Sequence, residues 1–161
     1  MIRAGAAMCA AIAVFAIPAL GADAQFPPLE AYVTEGTAKN RAAITYVLQR
    51  CGALSTMLGA RLSDSTDDPK VKMVVAELDA MKNFFLEHAA RSAKGDNITW
   101  EQTITDAGDS MLQLGNGYIS RLKATGNFDG NWLRDDLVKS DYKYCRDFRA
   151  DIQAAIRAKT K

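Results

Sequence analysis

The chain has 161 residues, 48% of them hydrophobic, and its 20 Lys+Arg and 19 Asp+Glu leave a formal net charge of +1. That is enough apolar material for one domain with a real core. The charge balance removes the basic footprint that binding to nucleic acid or to an anionic membrane surface calls for.

The first residues read as a targeting segment. Met1-Ile2-Arg3 supplies a positive start, Ala6 to Leu20 is a nearly uncharged apolar run, and Ala22-Asp23-Ala24 has the small-x-small form of a cleavage site. This is the plan of a secretory signal peptide over residues 1–24, with Gln25 as the mature start. The apolar run falls short of the ~20 residues that a membrane span needs, and Pro18 interrupts its end. Cys9 has no apolar run ahead of it, as a lipoprotein cysteine would, and is expected to leave with the peptide. Cleavage removes Arg3 and Asp23, so the net charge is unchanged, and it reduces three cysteines to two. In an oxidising compartment, periplasmic or extracellular, those two have a single possible pairing. No integral membrane segment is expected after cleavage.

Residues 25–39 contain Pro27, Pro28 and Gly36 and read as an extended or partly helical lead-in, with Leu29, Tyr32 and Val33 able to begin a short amphipathic turn. The bundle domain is expected over 40–159. Its first helix runs to Leu62, with Ile44, Val47, Cys51, Leu54, Leu58 and Leu62 at spacings of three and four on one face. Gly52 and Gly59 each cost it ~1 kcal/mol relative to Ala. After the polar turn Ser63 to Asp68, the pair Asp68-Pro69 predicts a capped second helix. Its stripe is Val71, Val75, Leu78, Met81, Phe85, His88 and Ser92, and Gly95-Asp96-Asn97 stops it.

Thr99 followed by Gln102 has the capping-box form and starts the third helix. Ile104, Gly108, Met111, Gly115, Tyr118 and Leu122 form its seam, where the two glycines suggest close approach by a neighbour. The stripe keeps its phase through Gly115-Asn116-Gly117, which favours one unbroken helix. Thr125 to Asn131 is loop by composition. A short helical turn over Trp132 to Val138, a capped start at Ser140-Asp141 and a last helix to about Lys159 complete the chain, with Cys145, Phe148, Ile152 and Ile156 on the final stripe. No strand pattern of useful length occurs. The expected fold is all-α: a four-helix up-and-down bundle in which helices one and four are neighbours joined by a Cys51–Cys145 disulfide. A redox role for this pair would call for close cysteines at an exposed helix start, and the spacing offers neither.

Residues able to carry chemistry are few. His88 is the one histidine and so the one candidate haem or metal ligand of its type. It lacks a Cys-x-x-Cys-His attachment motif and stands three residues after Phe85, where a di-iron site needs Glu. A lone histidine on an apolar stripe is ordinarily packing. The stretch Thr125 to Asp136 resembles an EF-hand calcium loop in part. Asn127, Asp129 and Asp136 fall at ligand positions three, five and twelve, but Thr125 replaces the first carboxylate and Asp136 the bidentate Glu. No nucleophile–base pair, P-loop or zinc-protease motif is present. Tyr142 and Tyr144 cannot both face one core from a single helix, so one of them is expected at the surface. The reading is an exported helical bundle with a non-catalytic binding or structural role, no bound cofactor, and an unknown protein or small-molecule partner. A cofactor or metal carrier using His88 or the Thr125–Asp136 loop is the alternative.

Overall fold

The computed structural model describes residues 26–34, 40–63, 67–128 and 132–160. The expected signal peptide, Cys9, Gly36 and Asp129 lie outside the described residues. Among the described residues the fold is all-helical, with a short α1 (Leu29–Thr34) and four long helices, α2 (Arg41–Ser63), α3 (Pro69–Ala93), α4 (Trp100–Ala124) and α5 (Asp136–Lys159). A 3-10 turn over Trp132–Arg134 leads into α5. None of these helices is long and apolar enough to cross a membrane.

The second helix is the centre of the packing, since it touches α3, α4 and α5. Its burial is correspondingly broader than a single stripe. Val47, Cys51, Leu54 and Leu58 are inside as their spacing predicts, but so are Leu48, Arg50, Gly52, Ala53, Ser55 and Met57. Ile44, expected on the core face, is exposed while the adjacent Ala43 is buried, and Leu62 is half-buried. A helix covered on several sides has little use for amphipathic contrast, and this explains why its polar-looking positions 50 and 55 are dry. Each fully buried Leu, Val, Met or Phe contributes roughly 1.5–3 kcal/mol relative to exposure.

Local signals set the helix ends. Asp68 accepts from the Lys70 amide at 2.8 Å, ahead of Pro69 in the first turn of α3. Thr99 accepts from the Gln102 amide at 3.2 Å, but the Gln102 side chain donates forward to Asp106 rather than back, so only half of the capping box forms. The fourth helix is continuous through Gly115 and Gly117. Close approach is found elsewhere on the molecule than at the two seam glycines. A Cβ on Gly108 would meet nothing within 4 Å, and one on Gly115 would make ordinary contact with the Ala53 carbonyl at 3.7 Å. Gly52 and Gly117 are the crowded positions, where a Cβ would collide with Met111 and Phe26 respectively.

The start of α5 differs from expectation. Asp135, buried and accepting from the Val138 amide at 3.1 Å, is its cap, so the helix begins at Asp136 and Ser140-Asp141 lies inside it. Asp141 therefore carries its carboxylate inward instead of to a helix start. Cys145, one turn further on, is bonded to Cys51 of α2, with a Cα–Cα distance of 5.4 Å and 94 positions between them in sequence. Tyr142 and Tyr144 are both half-buried, because each takes a different partner: Trp132 for the first and Phe148 for the second. The lead-in is also more than a connector. Leu29 is fully buried in the core cluster that includes Cys51, Phe85 and Cys145.

Candidate functional site

Beside the disulfide lies a polar cluster closed off from solvent. Arg50 precedes Cys51 on α2, Asp141 stands one turn before Cys145 on α5, and Tyr118 reaches in from α4; all three are 0% exposed. Arg50 donates through Nη2 to Asp141 Oδ2 at 2.6 Å and through Nε to the Tyr118 hydroxyl oxygen at 2.9 Å. The Tyr118 hydroxyl in turn donates to the same Asp141 oxygen. The other oxygen, Oδ1, accepts from the Leu29 backbone amide at 2.8 Å. Asp141 thus neutralises Arg50 and also supplies the acceptor for the first turn of α1.

Phe26 covers the cluster. Its ring lies 4.8 Å from the Arg50 guanidinium carbon and 5.3 Å from the Tyr118 ring centroid. The bare backbone of Gly117 leaves room for it. Arg50 Nη1, turned from the edge that engages Tyr118 and Asp141, has no hydrogen-bond partner among the described residues.

The electrostatics follow from this burial. Desolvation, and after it the Asp141 charge, pushes the Tyr118 phenol well above its ordinary range. Burial works to lower the Arg50 pKa, but the Tyr118 oxygen and the Asp141 carboxylate outweigh it and the net shift is upward. Tyr118 therefore keeps its proton and Arg50 its charge near neutral pH. A general acid or base needs a pKa close to the working pH, and Tyr118 is displaced the other way. What the arrangement provides is a charge-balanced joint between α2, α4, α5 and the segment that opens α1.

A second, shallower ion pair supports the α4–α5 connection. Arg121 donates from Nε to both oxygens of Asp135, at 3.0 and 3.1 Å, and Thr125 donates to Oδ2 at 3.3 Å. Burial acts to raise the Asp135 pKa, but the Arg121 and Val138 donors overcome it and hold the carboxyl below its ordinary value.

The residues singled out by sequence do not converge on a site. His88 is half-buried with its ring 4.3 Å from that of Phe84. Asn127 donates its side-chain amide to the Thr125 hydroxyl, and Asp136 is exposed in the first turn of α5. Among the described residues no group of three or more His, Cys, Asp or Glu could hold a metal ion. Cys51 and Cys145 are brought together, as their stripes predict. Arg50, Asp141 and Phe26 were not foreseen as partners. The available signal was an arginine flanked by the apolar positions Val47, Cys51 and Leu54, a setting in which a charged residue needs a buried counter-charge. No protein-family model, curated protein or solved structure matches this chain.

Proposed function

We propose that the chain is an exported, disulfide-tied bundle of four long helices in up-and-down order, acting through binding or structural contacts and not through catalysis. The observation that carries this reading is the buried Cys51–Cys145 bond beside a fully buried, charge-balanced Arg50–Asp141 pair. A disulfide of this kind is at home in an oxidising compartment, which agrees with the signal-like residues 1–24. The dry cluster next to it has the character of a rigid joint. Closing so long a loop contributes about 4–5 kcal/mol on the chain-entropy argument, a large share of the ~5–15 kcal/mol that holds a domain folded.

The test is made on protein recovered from the exporting cell. Its intact mass is expected to correspond to a chain starting at Gln25, and thiol titration in denaturant is expected to find no free thiol. A full-length mass, a lipid on Cys9, or two titratable thiols would refute export and the disulfide tie.

A further inference from the structure

The orphaned nitrogen of Arg50 points to a ligand. Arg50 is completely buried, and two of its three guanidinium nitrogens are engaged by Tyr118 and Asp141. Nη1 meets no acceptor among the described residues, and a buried donor left without one is costly. The Phe26 ring covers the guanidinium, and Tyr46 stands one turn before Arg50 on α2. Phe26 and Tyr46 are also two walls of a groove of about 390 Å³ between α2, α4 and the segment before α1. Gln49, Ser110, Gln113, Leu114 and Gly117 complete its lining, and Arg50 lies outside it, beneath the Phe26 ring.

The chemistry of the groove selects its occupant. The lining has no charged side chain, and Arg50 is already balanced by Asp141. A carboxylate reaching Nη1 would bring an uncompensated negative charge into a dry site, whereas a neutral carbonyl would satisfy the donor at no such cost. The amides of Gln49 and Gln113 each offer a donor and an acceptor, which suits an amide group. The Tyr46 ring and the Leu114 side chain, which stay in place when Phe26 is displaced, suit a flat apolar body. Phe26 is the group the groove and the guanidinium share: it is half-buried, stands ahead of the first helix, and rests its ring on the glycine backbone of α4, so an occupant reaches Nη1 only by displacing that ring.

We propose that this groove binds a neutral aromatic amide, whose carbonyl accepts from Arg50 Nη1 when the Phe26 ring turns aside. The proposal rests on the binding half of the function proposed above. Export and the disulfide are read separately by mass and thiol titration, so a failure here leaves those results standing.

The experiment is an NMR titration of the full oxidised protein, with labelled arginine and glutamine side chains, using N-acetylphenylalaninamide and, in parallel, N-acetylphenylalanine as the free acid. The amide is expected to give saturable shifts at Gln49, Gln113 and the Arg50 guanidinium. The acid should bind at least about tenfold more weakly, a difference of ~1.4 kcal/mol. Phe26→Ala, which uncovers Nη1, should bind the amide severalfold more tightly. Gln113→Leu, at an exposed position, should weaken binding while leaving urea unfolding unchanged. Because that variant does not touch the covering ring, it keeps the test decisive if Phe26→Ala loosens the fold. Shifts that never saturate, equal binding of acid and amide, or an Arg50 signal that stays silent in both wild type and Phe26→Ala would overturn the proposal. The last result would mean that Nη1 is met by a water only.

Discussion

Replacing Asp141 with Asn changes almost no volume and removes one charge, so it isolates what the buried pair contributes. The amide oxygen can still accept from the Leu29 N–H, which lies 2.8 Å from the present carboxylate. The guanidinium 2.6 Å away cannot be compensated, and at 0% exposure for both side chains no solvent reaches it. Stranding one partner of a buried ion pair costs about 3–5 kcal/mol. Arg50→Met strands the carboxylate instead, but Leu29 and Tyr118 still donate to it. Its cost should be smaller, roughly 2–4 kcal/mol on the same scale. In the double variant the two neutral side chains have no charge to strand. It should therefore be more stable than the summed single costs imply, by about 2 kcal/mol or more. Urea unfolding of all four proteins with the disulfide intact measures each cost through the midpoint, provided the slope is constant. Additivity within about 0.5 kcal/mol would show that Arg50 and Asp141 act independently and would refute the joint.

Three further outcomes are expected. Cys51→Ser and Cys145→Ser should each cost roughly 2–5 kcal/mol, and the double variant about as much as either alone, since both lose the same constraint; additive costs in urea unfolding would contradict this. Gly108→Ala, with open space at its Cβ, should stabilise α4 by ~0.5–1 kcal/mol, whereas Gly117→Ala should destabilise despite the same gain in helix propensity, because it displaces Phe26. Equal thermal shifts for the two would refute the seating of that ring. The folded-state pKa of Tyr118 is raised, so the stability it confers is full below the unfolded tyrosine pKa of about 10 and is lost as pH rises through the folded value. Absorbance titration at high pH should therefore show one of the five tyrosines ionising only with unfolding, and early ionisation of all five would refute its burial.

Helix positions were legible where periodicity and caps agree. Asp68-Pro69 and Thr99 start their helices as their chemistry predicts, and the two cysteine stripes meet. What escaped was tertiary in origin. Asp141 sits in Ser140-Asp141, a pair with the composition of a cap, and only the arrival of Arg50 from a distant helix makes an inward carboxylate tenable. Asp135 was available as a better-placed cap and takes that role. Periodicity located the seam of α4 but not its crowding, because Gly117 lies off the apolar stripe and its neighbour comes from residue 26. Arg50 is invisible to the periodicity because a single apolar face on α2 leaves no inside for it, whereas the helix is buried on several sides.

The attachments of α5 are concentrated at its beginning. Leu137, Val138, Asp141 and Cys145 are its buried residues, the covalent bond and the ion pair fall within one turn of each other, and the remainder up to Lys159 is at most half-buried. Mechanically the helix is a cantilever, clamped over its first ten residues, held more lightly where Phe148 and Ile152 pack against the core, and free to bend beyond them. Opening free energies should grade along it, so that amides after Ile152 exchange with solvent while those around Asp141 open only when the whole domain does. Force or thermal motion applied at the carboxyl end would be absorbed by fraying of the outer turns before it reached the clamp. The core around Cys51 is in this way insulated from whatever the end of the helix touches.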